Sequence, residues 1–403
     1  MINTVVPIVS DVRQGGDRAV IAYTEKFDGV KLDSLMATKE EIDSAAGNVP
    51  AELREAFLEA KEHIEEFHRL QLRSHIDARR ADGTALGVRY QPIDSAAVYV
   101  PGGKASYPSS VLMGVIPAMI AGVGTITLVT PPAPTGRVPD AIAAVAAMLD
   151  LETIVKAGGA QGIAAAGFGT ESVPKAELIV GPGNIYVTAA KTYLYSLGAV
   201  QIDSMAGPSE VLVIADHRAN PRWVAWDLLS QAEHDEMAVA LLVTTSRDLA
   251  REVAEEIEKD LASGVGRHAI KKASIEANGL ILLAGSVEEA IEFSNRYGPE
   301  HMELMVENPM AYLDRIRNVG SLFLGDHAPV AVGDYYSGTN HILPTGGATR
   351  FSSGTGVETF MRRMTYQHLT REALAKARGP VSLMSAAEGF DDKHGGSIAV
   401  RFE

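Results

Sequence analysis

"SAAVYVPGGKASYPSSVLMGVIPAMIAGVGTITLVTPP", residues 95–132, decides the fold. "SAAVYV" is a short apolar run closed by a Pro-Gly-Gly turn, as expected of a strand buried on both faces. "SVLMGVIPAMIAGV" is too long for such a strand and reads as a helix kinked by its proline. "TITLVTPP" is again a strand, stopped by prolines. Strand, helix and strand in succession predict a parallel sheet covered by helices.

The rotation continues outward. Helix "VPDAIAAVAAMLD", strand "TIVKAGG", helix "QGIAAAGF", strand "AELIVGPG" and helix "IYVTAAKTYLYSL" complete a first half. After the loop "IDSMAGPSE" it restarts with strand "VLVIAD", a helix carrying "LLSQAEHDEMA" (228–238), strand "VALLVTT", helix "LAREVAEEIEKDLA" and strand "LILLAG". The expected fold is therefore α/β: two doubly wound Rossmann-like halves lacking GxGxxG, with smaller helical N- and C-terminal segments. The expected divisions are 1–92, a helical segment packing on the second half; 93–206; 207–330; and 331–403, an active-site loop with a C-terminal dimerisation tail. A last helical stretch is expected over about 357–389. Ligands are expected at loops after the carboxyl ends of strands. No repeat of solenoid period and no low-complexity segment is visible.

Composition narrows the class. A net charge of −15 over 403 residues disfavours a nucleic-acid surface but suits a cationic small molecule. No apolar run reaches about 18 residues, so no membrane span is expected. The opening "MINTVVPIVSDVRQGGD" lacks the pattern of a signal peptide, and a cytoplasmic chain is the expectation. Cysteine is absent, which fits that compartment and excludes both a thiol nucleophile and thiolate-bound metal.

Candidate chemistry is scattered. Glycine loops at Pro101–Gly103, Gly158–Gly159 and Gly181–Gly183 each follow an expected strand, where glycine either ends the strand or lets a phosphate or ribose approach the backbone. Gln231 and His234 are three apart, a spacing that fits a metal pair or the polar edge of an amphipathic helix. Asp334 in "VGDYYSG", His341 in "GTNH" and His394 in the tail are further nitrogen and oxygen donors. In "YGPEHMEL", Glu300 and His301 place an acid beside an imidazole at a strand edge, which suits proton transfer and equally a solvated turn.

Taken in order, "VYVPGGKASYPSSVLM", "AGGAQGIAA", "GPGNIYV", "AGPSEVLVIAD", "SQAEHD", "GPEHMEL" and "GDYYSGTNHILPT" resemble the histidinol dehydrogenase family, from about residue 10 to the end. The resemblance implies a homodimer that oxidises L-histidinol through the aldehyde to L-histidine, using two NAD and one Zn²⁺ per site. It implies Gln231, His234, Asp334 and His394 as zinc ligands, the last supplied by the partner subunit. It makes Glu300 and His301 the acid–base pair, and Ser209, His341 and Glu388 substrate contacts beside the zinc ligands and His301. Tyr99, Gln161 and Asn184 match NAD-contacting positions. Glu233 is left as helix surface and Asp235 as support for a ligand. Without cysteine, the aldehyde step is expected to run through hydration by a water that Glu300 activates.

Two departures stand out. The helical segment that usually precedes "VRQGGDRAVIAYTEKFDG" is short, which bears on the dimer contacts. The tail "AAEGFDDKHGGSIAVR" carries one additional residue between Glu388 and His394, leaving Asp391 or Asp392 as alternatives to Glu388. Two other readings stand beside this one. A zinc/NAD-dependent dehydrogenase of another amino or sulfonated alcohol, such as dihydroxypropanesulfonate, would need a cationic pocket group. A non-catalytic α/β binding protein would lack Glu300, His301 or a zinc donor.

Overall fold

The computed structural model describes residues 1–102, 106–204 and 207–403; Gly103 of the first glycine turn lies outside the described residues. The chain divides into two compact units, one of Met1–Leu72 with Ile93–Phe360 and one of Arg73–Pro92 with Met361–Glu403. It opens with helices α1 (Ile2–Asp28), α2 (Lys39–Gly47) and α3 (Ala51–Arg69), then strands β1 (Ile76–Arg79) and β2 (Ala85–Pro92). The first half follows as β3 (Ser95–Tyr99), α4 (Pro108–Ala121), β4 (Thr125–Thr130), α5 (Asp140–Met148), β5 (Ile154–Lys156), α6 (Gly159–Phe168), β6 (Leu178–Val180), α7 (Ile185–Ser196) and β7 (Gln201–Ile202). The second half is β8 (Glu210–Ala215), α8 (Pro221–Ala232), β9 (Val239–Thr244), α9 (Arg247–Ser263), α10 (His268–Asn278) and β10 (Gly279–Leu283). It ends with α11 (Val287–Tyr297), β11 (His301–Met305), β12 (Ser321–Leu324) and α12 (Val330–Tyr335). Strand β13 (Met361–His368) and helices α13 (Arg371–Ala387) and α14 (Gly396–Ala399) close the chain.

The two large sheets run β5-β4-β3-β6-β7 and β10-β9-β8-β11-β12, each parallel throughout. Numbered within its own half, each has the order 3-2-1-4-5, so the halves share one topology. The order reverses between β3 and β6 and between β8 and β11, the crevices where open α/β sheets bind ligands. β8 is buried at every residue, as its apolar run requires.

The N-terminal segment departs from expectation in both packing and content. Val5, Ile8, Val9, Val12 and Val20 of α1 enter the core formed by Ile163 of α6 and Leu194 of α7, on the first half and not the second. Each buried Val or Ile is worth about 1.5–3 kcal/mol, which fixes α1 there. Helix α2 packs on α5 and adds a polar anchor. Glu41 accepts Val138 N–H at 2.8 Å and pairs with the buried Lys156 Nζ at 2.9 Å.

The second unit also differs from its helical reading. Residues 76–79 and 85–92 are strands, and 361–368, expected as helix, pairs antiparallel with β2 from Met361↔Pro92 to His368↔Ala85. Helix propensity in "MRRMTYQH" yields to that ladder, a partner distant in sequence. Only from Thr370, whose hydroxyl caps Ala373 N–H, does the final helix begin. Helix α10 is an element the sequence reading left unassigned.

Glu41→Ala strands the buried Lys156 ammonium. The expected cost in denaturant unfolding is about 3 kcal/mol, while Glu41→Leu with Lys156→Met recovers most of it. Equal stability of Glu41→Ala and wild type would contradict the docking of α2 on the first half.

Candidate active site

Helix α11 ends at Gly298, whose left-handed φ of 72° turns the chain so that Pro299 delivers Glu300 and His301 to the start of β11. β11 lies parallel to β8, with His301 opposite Val211. The main chain of Glu210, at the start of β8, meets both side chains. Its N–H donates to Glu300 Oε2 at 2.8 Å, and its carbonyl lies 3.1 Å from His301 Nδ1. A carbonyl only accepts, so Nδ1 carries the hydrogen and Nε2 keeps its lone pair. Nε2 is buried with no partner among the described residues.

Both groups are almost completely enclosed, Glu300 at 6% and His301 at 5% exposure. Burial pushes the His301 imidazolium down to about 3, and nearby His234 and His341 push the same way. The ring is therefore neutral in the physiological range. Burial also raises the Glu300 carboxyl well above its usual range; the Glu210 N–H opposes this, and the charges of Glu210 and Asp334 add to it. Glu210 is itself a buried carboxyl, raised first by burial, with Oε1 accepting Gly346 N–H at 3.2 Å.

Gln231 and His234 do not share one continuous helix. α8 stops at Ala232, and His234 sits in the following turn, its N–H donating to Gln231 O at 3.2 Å. That tightened i→i+3 turn still keeps the two residues adjacent. Gln231 is 3% exposed and its Nε2 has no partner among the described residues. Turning the amide over would point its oxygen into the same space. His234 is hemmed by protein yet open to water, and burial lowers its pKa. Burial raises Asp334, on α12, to about 7. Among the described residues no three His, Asp or Glu side chains converge as a preformed cation site. The donors nevertheless fit zinc in kind: an imidazole, a carboxyl group and an amide orphaned among the described residues.

His341 bridges the halves. Its Nδ1 lies 3.1 Å from Asp334 O and its Nε2 3.1 Å from Ser110 Oγ on α4. Neighbouring Asn340 donates to Met113 O at 2.7 Å, fixing the "GTNH" turn. Ser209 precedes β8 and is half-buried. Asp235 accepts Met237 N–H at 3.0 Å and shapes the turn after His234, while Glu233 caps α8. Glu388 and His394 belong to the second unit; both are exposed, at the end of α13 and in the turn of Asp391–Gly395.

The glycine loops do less direct work than their sequence suggests. Tyr99 is buried, its hydroxyl pushed up to about 12 by burial, and that oxygen accepts Gly159 N–H at 3.1 Å. Gln161 is 1% exposed, with Oε1 lacking a partner among the described residues. Asn184 caps α7, accepting Tyr186 and Val187 N–H. Gly181 is required because a Cβ there would stand 2.0 Å from Tyr99 O. Its glycine serves the close approach of β6 to β3, not an open phosphate cradle.

Location holds a second correction. Tyr99 closes β3, and Gln161 and Asn184 follow the carboxyl ends of β5 and β6, on the edge where ligands were expected. Ser209, Glu300 and His301 instead occupy the amino ends of β8 and β11. Sequence reasoning also missed Glu210, Ser110 and the buried carboxyl pair of Asp227 on α8 and Glu303 on β11. Glu303 Oε1 accepts Val330 N–H at 2.9 Å at the start of α12, and the carboxyl interacts with that of Asp227. A glutamate inside the apolar run "HMELM" was the available signal.

A neutral buried imidazole stands beside a carboxyl of raised pKa in a chain of two Rossmann-order halves, a pairing chemically suited to proton transfer. The comparisons with known proteins carry this further. The family model described as histidinol dehydrogenase matches residues 1–402. A histidinol dehydrogenase of Leptospira biflexa is 50% identical over 98% of this chain and 91% of its own. One from Halalkalibacterium halodurans is 45% identical over 100% of this chain and 94% of its own. The crystal structure of histidinol dehydrogenase from Elizabethkingia anophelis superposes with a TM-score of 0.95 at 40% identity, over 99% of this chain and 92% of that one. The chain belongs to the histidinol dehydrogenase family, whose members are NAD- and zinc-dependent oxidoreductases.

Burial raises Glu303 to about 9, and the facing Asp227 adds to it. An acid whose folded pKa is raised stabilises the fold fully below its unfolded value, near 4.3, and loses that contribution as pH climbs through about 9. Glu303→Gln cannot ionise. Its melting temperature relative to wild type is expected to rise steadily from pH 5 to pH 9, and a constant offset would rule out a shared proton.

Proposed function

We propose that this chain catalyses the two-step oxidation of L-histidinol through L-histidinal to L-histidine, with zinc and two NAD. The observation that carries the reading is the His301 ring, held neutral with its Nε2 bare beside Glu300. A buried lone pair with no partner is set to receive a proton, and the one available to it is the substrate hydroxyl's. Zinc, when bound by Gln231, His234, Asp334 and His394, would hold the substrate nitrogens and acidify that hydroxyl to match so weak a base. NAD, when bound against Gln161, Asn184 and the Tyr99 loop, would accept the hydrides; the unpartnered Gln161 Oε1 supports that placement.

Within the chain, His301 takes the hydroxyl proton in the first oxidation. Glu300 then removes a proton from the water that adds to the aldehyde, a step that cysteine chemistry cannot provide here. Ser209, His341 and Glu388 orient the substrate, with His341 fixed through Ser110 and Asp334. The buried carboxyls Glu210, Glu300 and Asp334 favour a substrate that is cationic and disfavour an anionic sulfonate. As part of this reading the enzyme is a cytoplasmic homodimer in which His394 comes from the second copy. The exposed Trp223 and Trp226 on α8 are apolar surface suited to such a contact. No helix among the described residues is long and apolar enough to cross a membrane.

The test is NADH production from histidinol with and without a chelator, and from histidinal, for wild type and Glu300→Gln. Wild type is expected to lose turnover with the chelator and regain it with zinc. Glu300→Gln is expected to slow aldehyde oxidation about 10²–10⁴-fold, and more than the alcohol step. No turnover of histidinol after zinc is restored would overturn the assignment, and turnover of the sulfonated diol instead would redirect it.

A further inference from the structure

The first half buries an ion pair that the chemistry above does not use. Lys191 on α7 and Asp203 after β7 are paired, with side-chain exposures of 3% and 5%. Both also hydrogen-bond the main chain of one residue, Gly181. Asp203 Oδ2 accepts Gly181 N–H at 2.8 Å, and Lys191 Nζ donates to Gly181 O at 3.0 Å. Asp203 Oδ1 also accepts Ser204 N–H at 2.7 Å, which anchors the carboxylate to the chain after β7.

Gly181 is the first residue past β6, at the crevice where the strand order reverses. Its φ of 117° and its contact with Tyr99 O admit no side chain. Both polar groups of the residue are turned inward onto the ion pair, and the chain then swings out through Pro182 and Gly183 to Asn184. Asn184 is exposed and its side chain starts α7. The direction in which Asn184 leaves the sheet thus follows from how Gly181 is held.

Stability alone does not explain the pair. Two charges this deeply buried lose their hydration, and apolar residues of similar volume commonly serve a core as well or better. What apolar residues cannot do is grip a main-chain N–H and C=O at once. We propose that Lys191 and Asp203 are positioning residues for the cofactor: together they fix Gly181 and so set the Gly181–Asn184 turn that presents Asn184 to NAD. This rests on the reading that Asn184 contacts NAD.

The experiment compares the zinc-loaded wild type with Lys191→Met/Asp203→Leu, which makes the pair apolar and loses the grip, and Lys191→Gln/Asp203→Asn, which keeps a donor and an acceptor without charge. NADH affinity is read by its fluorescence without substrate, alongside melting temperature and the KM for histidinol at saturating NAD. Two lost anchoring hydrogen bonds are expected to weaken NADH binding in the Met/Leu variant about tenfold or more. Its melting temperature should stay near wild type and its histidinol KM within about twofold, whereas the Gln/Asn variant should bind NADH within about threefold of wild type. Wild type that binds no NADH would show that the underlying cofactor reading has failed. If wild type binds, three results overturn the inference: a Met/Leu variant that binds equally well, a Gln/Asn variant that loses as much, or a Met/Leu variant that unfolds.

Discussion

One residue's main chain holds both Glu300 and His301, the acid and base of the proposed reaction. The N–H of Glu210 fixes the Glu300 carboxyl, and its carbonyl fixes the tautomer of His301. Because Glu210 opens β8 and His301 opens β11, the pairing of those two strands also sets the chemistry. Slide the register by one residue, and His301 would point to the other side of the sheet. The rigid core of the second half thus acts as a jig for a proton-transfer pair, and the ring needs no charged partner to hold its orientation.

That arrangement has an electrostatic consequence. Glu210, Glu300 and Asp334 are buried near one another, with His234, His301 and His341 kept neutral by the same burial. Alone, such a site disfavours the charged form of its carboxyls. A cation reverses the balance, because carboxylates beside positive charge ionise readily. Metal affinity, substrate charge and the competence of Glu300 as a base are therefore linked, and each is expected to depend on pH. The two Rossmann-order halves divide the labour. In the proposed reaction one would offer the carboxyl edge of its sheet to the cofactor and the other its amino edge to the reacting groups; His341 and Ser110 tie the halves together.

Much of this was legible in the residues. Apolar runs stopped by Gly and Pro specify parallel strands through local patterning, and both halves were readable from "SAAVYV" and "VLVIAD" alone. "GPEHMEL" marked Glu300 and His301 because an ionisable dipeptide at the head of an apolar strand is unusual, and the structure buries both rather than leaving them in a solvated turn. What stayed hidden depends on distant partners. β13 is a strand because β2 lies beside it, and α1 sits on the first half because α6 and α7 supply the matching core. Glu210 and Glu303 look like ordinary strand residues until burial is known, and Gly159 after β5 and Gly181 after β6 look like parts of phosphate loops until their N–H groups are traced to Tyr99 and Asp203. Spacing could not assemble Gln231, His234 and Asp334; a family resemblance named them together.

The most direct measurement is nitrogen NMR of the protein carrying ¹⁵N-labelled histidine, metal-free and at neutral pH, with a His301→Gln variant to assign the signal. The His301 ring is expected to be neutral, with hydrogen on Nδ1 and a bare Nε2, and to stay so until the pH falls toward about 3. An imidazolium at neutral pH, or a ring with its hydrogen on Nε2, would contradict the account.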